Sequence, residues 1–379
     1  MRVPVVDKNG KPLMPTKPSR ARKWVRDGKA VGKWNKLGQY YLELTFEPSG
    51  TETQPIAVGN DPGKKYSGIG VQSRKFTLFT AHLILPFETV KKRMEQRAMM
   101  RRSRRGRRIN RSLPFEERAH RQKRFSNRKN KKVPPSILAN RQLEIRGISE
   151  LCKVYPISSI VYEYVKADVD LTSGRKKAKP GLGFSAVMVG QKWAIEQLSK
   201  LAPVTTKLGW ETSNLRQHLG LEKQKHSKGD AIPATHAVDG VALAASEFVD
   251  YLPFFDSLGR GHCWQGDVTI TNAPFRVIRR PPISRRQLHL MMPAKGGIRR
   301  KYGGTVTRHG LRKGDLVKAE KAGQVYFGWV SGDTKTQVSV SNFDWKRLGQ
   351  FSASKVSLLQ RSTGLICKQE TEFTVAAIC

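Results

Sequence analysis

The sequence predicts an α/β protein, a mixed sheet with flanking helices that is interrupted by an arginine-rich helix and followed by a small C-terminal unit of β-barrel type. Three observations predict it. Short apolar runs of strand length end on carboxylates at Asp61 and Glu163. Apolar stripes of helical period follow them over 136–155 and 235–251. Beyond residue 315, glycine turns separate several brief apolar runs.

The elements follow in chain order. Residues 1–54 mix short apolar runs with prolines, and the basic stretch from Ser19 to Lys33 reads as a helix with Ser19 as its N-cap. In residues 55–90, Pro55 to Asp61 forms an apolar strand. The turn Pro62-Gly63 and further strands at Ser67–Val71 and Phe76–Leu85 complete a three-strand meander. Residues 91–132 carry nineteen Lys or Arg against Glu95, Glu116 and Glu117 alone. Such a density of one sign needs counterions, so the helix expected over Val90 to Arg111, broken at Gly106, becomes ordered by phosphates. Within 133–185, Ser136 caps a helix to about Tyr155, and a strand from Ile157 leads to Glu163. Residues 186–270 hold a helix over Met188–Leu201, an extended Pro203–Trp210 and a last helix over Thr235–Tyr251. In 271–379, strands at Asp315–Ala319, Val325–Val330, Gln337–Val340 and Lys355–Leu359 are most simply buried in a small antiparallel barrel.

Charge narrows the partners. The 379 residues contain 70 Lys plus Arg against 30 Asp plus Glu, a formal net charge of +40. Self-repulsion on that scale calls for a large polyanion. An anionic membrane is the rival, but no apolar run approaches the roughly 18 residues a spanning helix needs, and the basic stretches lack a continuous apolar face. Nucleic acid is therefore the expected partner, with no membrane. Cys152, Cys263, Cys367 and Cys379 stand singly, without a CxxC pair for zinc, and are expected to be reduced thiols in a cytoplasm. The N-terminus, beginning Met1-Arg2-Val3-Pro4, has no apolar core of the secretory kind.

The candidate chemistry rests on Asp61, Glu163 and Asp239, with His236 three residues before Asp239 and so on the same helix face. Carboxylates converging from separate elements suit a two-metal phosphodiesterase, in which bridging oxygens hold two divalent ions roughly 4 Å apart. One ion activates water and the other stabilises the leaving oxygen. An all-carboxylate set favours Mg2+, with Mn2+ as a possible substitute. Each acid also has an ordinary reading. Asp61 can simply open the Pro-Gly turn, Glu163 can be an exposed strand-end charge, and His236 with Asp239 can be a polar stripe on a surface helix. Their combination on strand, strand and helix favours the catalytic set: Asp61, Glu163, His236 and Asp239, of which Asp61, Glu163 and Asp239 are the metal ligands.

Asn60-Asp61-Pro62-Gly63-Lys64-Lys65-Tyr66-Ser67-Gly68-Ile69 resembles the first RuvC motif, Ile160-Val161-Tyr162-Glu163 the second, and Thr235-His236-Ala237-Val238-Asp239-Gly240 the third. Pro12-Leu13-Met14-Pro15 followed by Ser19-Arg20-Ala21-Arg22-Lys23 resembles the PLMP segment of the transposon-encoded IscB family of RNA-guided (OMEGA) nucleases. Residues 91–111 resemble its arginine-rich bridge helix. Only 72 residues separate Glu163 from His236, with no Cys and just His218 and His226, too little to build the HNH nuclease that IscB proteins carry there. The chain is thus similar to IsrB, the HNH-less relative.

That resemblance implies an RNase H-like (RuvC) fold and the boundaries 1–54 PLMP, 55–90, 133–185 and 186–270 as three RuvC segments, 91–132 as bridge helix and basic linker, and 271–379 as the part that holds guide RNA and reads a target-adjacent motif. It also implies the activity: a magnesium-dependent nick in the non-target strand of duplex DNA, directed by a structured guide (omega) RNA, by a monomeric protein within a ribonucleoprotein. Asn60 stands where an apolar residue is usual, and Gly240 where alanine is usual. A second His and Asp, His226 and Asp230, compete for the third motif. His236 and Asp239 are preferred because an apolar helix follows them directly.

Arg101, Arg102, Arg104, Arg105, Arg107, Arg108 and Arg111 would surround a helix with phosphate-binding groups, since arginine makes bidentate contacts that lysine does not. The bland alternative is a solvated basic tail. Arg20, Arg22 and Lys23 are further nucleic-acid candidates, interleaved with Trp24, and with Trp34 beyond; these aromatics either stack on unpaired bases or pack in a core. Arg299, Arg300 and Lys301 are phosphate candidates. Two other functions compete: a guide-independent RuvC-like nuclease acting on branched or single-stranded DNA, and a catalytically inactive RNA-binding protein.

Overall fold

The computed structural model describes residues 1–106, 109–118, 133–166, 187–221, 233–256, 259–283 and 305–370. The chain divides into two compact units: Met1–Leu85 with Ile137–Arg280 and Leu365–Cys379, and Pro86–Ser136 with Pro281–Gly364. No described helix is long and apolar enough to cross a membrane.

The first unit begins with a four-stranded sheet of order β2-β1-β4-β3, built from β1 (Val3–Val6), β2 (Pro12–Thr16), β3 (Ala30–Trp34) and β4 (Tyr40–Leu44). The helix α1 (Pro18–Arg26) packs its Ala21 with Val5, Leu13, Ala30, Leu42 and Leu44. The helix expected over Ser19–Lys33 is therefore shorter, and Ser19 is not its cap. Pro18 opens it without a side-chain cap, and Gly28, at φ +68°, turns the chain into β3. The PLMP residues are strand residues of β2.

A seven-stranded sheet forms the body of this unit. It contains β5 (Ile56–Asp61), β6 (Tyr66–Ser73) and β7 (Phe76–Ile84), the expected meander, together with β8 (Ser159–Glu163) and β9 (Val204–Lys207). The helix α2 (Phe87–Gly106) lies between them in sequence and belongs to the second unit. Then come α3 (Pro135–Cys152), α4 (Gln191–Leu198), α5 (Gly209–His218) and α6 (Pro233–Ala245). The residues expected to be extended up to Trp210 thus enter α5. The last helix ends at Ala245 rather than Tyr251, and β10 (Val249–Asp256) follows, pairing with β11 (Gly259–Gly266) in a hairpin.

The sheet order is β18-β12-β7-β6-β5-β8-β9, where β12 is Phe275–Arg279 and β18 is Ile366–Gln369. The two strands at one side, β18 and β12, come from residues 271–379, so the C-terminal segment contributes two strands to this sheet. The centre runs antiparallel from β7 through β6 to β5 and parallel from β5 through β8 to β9. With helices on both faces, this is the mixed α/β sheet with flanking helices that the sequence predicts.

Period-two alternation sorts the faces. Ile56, Val58, Ile69, Val71, Leu83, Ile160 and Tyr162 point to one side, where they meet Leu143, Ile148 and Leu151 of α3. Residues of the opposite parity meet α6, and three of them are glycines. A Cβ on Gly59 or Gly68 would collide with the Gly240 or His236 carbonyl oxygen, and one on Gly70 would lie 2.5 Å from the Gly240 carbonyl carbon. Gly240 itself could not carry a Cβ, which would lie 2.7 Å from the Gly70 nitrogen. Glycine in place of the usual alanine is therefore what lets helix and sheet backbones touch.

The other face holds a buried ion pair. Arg141 and Glu144, 0% and 1% exposed, lie 2.9 Å apart on α3. Burial pushes the Glu144 carboxyl up to about 7, against the opposing pull of Arg141. Arg141 also donates to the Tyr162 hydroxyl (2.9 Å) and to the Gly63 carbonyl (2.8 Å), while Asn140 donates to the Lys64 carbonyl (2.9 Å). The turn after β5 is thereby tied to α3.

In the second unit, β13 (Leu316–Lys321), β14 (Gln324–Asp333), β15 (Gln337–Ser341), β16 (Arg347–Ser352) and β17 (Val356–Gln360) form an antiparallel sheet of order β16-β15-β14-β13-β17 around Val317, Ala319, Val330, Val338, Val340 and Phe351. Asp315 is fully buried and is held by the Arg361 guanidinium (2.9 Å) and by the Arg312 and Ser362 amides.

Two stability outcomes follow. Gly240→Ala should lower the free energy of unfolding by about 1–3 kcal/mol, because the new methyl meets backbone, even though alanine is the better helix former by about 1 kcal/mol; a raised urea midpoint would refute the seam. Arg141→Met should cost about 3–5 kcal/mol by stranding Glu144. The double variant with Glu144→Leu should recover part of this, and a double variant less stable than the single one would show that the pair is not the cause.

Candidate functional site

The register of the sheet brings the two strand-end acids together. Asn60 of β5 pairs with Tyr162 of the parallel β8, so Asp61 and Glu163, one residue further on, stand side by side at the same end of neighbouring strands. Asp61 pairs with Gly68, Gly68 with His82, and Glu163 with Lys207. A single row across the sheet therefore reads Lys207, Glu163, Asp61, Gly68, His82, all of the parity that faces α6.

Gly68, lacking a side chain, lets α6 settle on this row, and α6 delivers His236 and Asp239. His236 Nδ1 lies 3.3 Å from Asp61 Oδ2, with both side chains four-fifths buried or more. Asp239 is buried, and its Oδ1 is 2.8 Å from Nη1 of Arg216, a residue of α5 whose Nη2 also donates to Ser213 Oγ (3.1 Å). The first residue of α5, Gly209, lies over Glu163; a Cβ there would be 3.3 Å from Oε1. All four residues expected to be catalytic thus belong to one end of one sheet and the helices against it. Among the described residues, no three His, Cys, Asp or Glu side chains are grouped closely enough to hold a metal ion. The side chains meet in pairs, Asp61 with His236 and Asp239 with Arg216.

Asn60 is completely buried on the α3 side, where Ser67 Oγ donates to the Asp61 carbonyl at 2.7 Å and reaches Asn60 Oδ1 at 3.4 Å. A polar residue at this position is matched by the polar character of that face, where Arg141 and Glu144 also sit.

Several residues of the site carried no signal read from the sequence. His82, 2% exposed, packs against Tyr66 (centroids 4.9 Å) and His236 (5.3 Å), which also meet each other at 5.7 Å, so the three tilted rings form one cluster. Burial, reinforced by nearby His236, pushes its pKa down to about 3, so it is a neutral ring. Strand alternation from Leu83 places it on the α6 face, a signal that was available. Arg141 could have been found as a basic residue on an apolar helix stripe. Arg216 could not, because its partner lies in another element.

The basic candidates divide. Arg20, Arg22, Lys23, Arg101, Arg102 and Arg111 are exposed. Arg104 and Arg105 lie in α2 with side chains outside the described set, and Arg107, Arg108, Arg299, Arg300 and Lys301, like the competing His226 and Asp230, lie outside the described residues. Trp24 packs against the N-terminal core, whereas Trp34 is 62% exposed beside Tyr40. Cys152, Cys263 and Cys367 are free thiols. Burial pushes Cys152 up to about 11 and Cys367 up to about 12.

A protein-family model described as "RRXRR protein" matches residues 3–180. No curated protein matches the chain. Among solved structures, it is similar to T. thermophilus RuvC in complex with a Holliday junction substrate, at 12% identity over 50% of this chain and 90% of that one, with a TM-score of 0.26. A structure of Thermus thermophilus RuvC gives 11% identity, the same coverages and a TM-score of 0.23. A cryo-EM CRISPR-Cas12f ternary complex gives 12% identity, 61% of this chain, 49% of that one and a TM-score of 0.27.

Proposed function

We propose that this chain is a RuvC-like, divalent-metal-dependent DNA endonuclease that works with a structured guide (omega) RNA to nick the non-target strand of duplex DNA beside a target-adjacent motif. The observation that carries the reading is the row of the central sheet: Asp61 and Glu163 at adjacent parallel strand ends, with His236 and Asp239 brought over them by α6.

The donor set fits a hard cation, since Asp61, Glu163 and Asp239 offer carboxylate oxygens. These residues would hold Mg2+, with Mn2+ as substitute, and two such ions supply an activated water and charge stabilisation on the leaving oxygen. The chain's own groups have separate tasks. His236 can exchange a proton or a hydrogen bond with Asp61 across 3.3 Å. His82, neutral and packed, fixes the His236 ring. Arg216 compensates Asp239, so a cation on that carboxylate must share it with, or displace, the guanidinium.

The nick reading is supported by the interval between Glu163 and His236. Its described elements, α4, β9 and α5, belong to the sheet-bearing unit. The net charge of +40 supports a nucleic-acid partner.

Purified protein, incubated with supercoiled plasmid carrying a guide-matched target and Mg2+, should produce nicked circles. Asp61→Asn should bring nicking below detection while leaving RNA binding intact. Unchanged nicking by that variant would separate these residues from catalysis. Full activity after the copurifying RNA is removed would favour a guide-independent nuclease, and no magnesium-dependent cleavage by the parent would favour a binder. DNA affinity should fall linearly, on logarithmic axes, with added salt, because binding releases phosphate counterions and that release is less favourable at higher salt; a flat response would contradict phosphate-dominated binding.

A further inference from the structure

Away from the carboxylates, five aromatic rings of the first unit form a continuous ladder between α5 and the β10–β11 hairpin. Tyr251 of β10 lies across from Trp264 of β11, their centroids 4.8 Å apart. Tyr251 stacks on His262 at 5.0 Å and 22°, and His218, the last residue of α5, stacks on Trp264 at 5.9 Å and 23°. Trp210, the second residue of α5, meets the edge of Tyr251 at 6.5 Å and stays 58% exposed. His262 and His218 are exposed as well.

The geometry points to this ladder as a stacking platform for the unpaired bases of single-stranded DNA, leading to the Glu163 end of the sheet. This inference rests on the nuclease reading above and locates the strand it acts on. Three observations favour that occupant. The ladder begins one residue from Gly209, the residue lying over the Glu163 carboxylate. A strand laid on Trp210 therefore arrives at the candidate site rather than at a remote surface. Its ring faces are of a kind that unpaired bases use and duplex DNA cannot, since stacked pairs hide their π faces.

Charge also fits a polyanion. Lys207 borders Glu163 on β9, and Glu211, beside Trp210, is not left as a repelling group: it accepts the Leu208 amide at 2.6 Å and lies 3.8 Å from Lys207. A purely structural ladder would need its inner members, Tyr251 and Trp264, but not a tryptophan left mostly in solvent.

The test uses the full chain in EDTA, so that binding is read without cleavage. The probes are a fluorescent thymidine oligomer and an abasic oligomer with the same number of phosphates. The parent should bind the thymidine strand about tenfold more tightly than the abasic one. Trp210→Ala should abolish that preference without changing affinity for the abasic probe, and Trp210→Phe should keep most of it. Equal affinity of the parent for both probes would overturn the inference. So would a Trp210→Ala variant that keeps the preference, or one that loses affinity for both probes equally. Tighter binding of a uridine oligomer than of the thymidine one would overturn the assignment to DNA. Because no cleavage is measured, a parent that never nicks would sink the nuclease reading without moving this result.

Discussion

The backbone contact between α6 and the strands β5 and β6 is the constraint on which the rest of the site depends. Helices normally rest on sheets through a layer of side chains, which can repack when one member changes. Here glycine at positions 59, 68, 70 and 240 removes that layer, so peptide groups meet peptide groups. The position of α6 is then set by hard atoms rather than by rotamers. His236 and Asp239 inherit that precision: they reach over Asp61 because Gly68 is bare and because Gly240 follows Asp239 directly.

The second constraint is charge. A chain with 70 basic and 30 acidic residues has few carboxylates to place, and four of those buried among the described residues are given a cation. Arg141 serves Glu144, Arg216 serves Asp239, Arg361 serves Asp315, and Lys153 with Lys36 serves Glu150. Burying a carboxylate unpaired would cost several kcal/mol, so these acids are effectively neutralised within the fold. The surplus of positive charge is left to the surface. Asp61 differs in kind. Its contact is the His236 ring, 3.3 Å away, rather than an arginine or lysine.

Much of this was written in local sequence. Apolar runs ending at Asp61 and Glu163 marked β5 and β8, while the register that sets the two acids side by side is a property of the folded sheet. The small-residue stripe of Ala237, Val241, Ala242 and Ala245 marked α6 as a helix made for close approach. What local pattern does not contain is pairing over long distances. β12 and β18 join the same sheet edge although nearly ninety residues separate them, and no periodicity records which strand a neighbour will be. The first residues of β10, Val249 to Tyr251, read as the end of the last helix because no glycine or proline interrupts Ser246 to Leu252. Arg141 and Glu144 were passed over because charged residues on an apolar stripe are ordinarily at its margin, and here both are at its centre.

One short element connects these themes. α5 has ten residues, too few to be stable as an isolated helix. Its start is held by Glu211 reaching back to the Leu208 amide, and its burial rests on Thr212 and Leu215. Yet Gly209 lies over Glu163, Arg216 neutralises Asp239, and Trp210 and His218 bracket the aromatic ladder. The electrostatic state of two of the three acids is thus tied to the docking of a helix that cannot hold itself together. Anything that shifts α5 by one turn, about 5.4 Å, would remove the guanidinium from Asp239 and the backbone from Glu163 together. The site's charge balance is therefore a property of how α5 docks, as much as of the acids themselves.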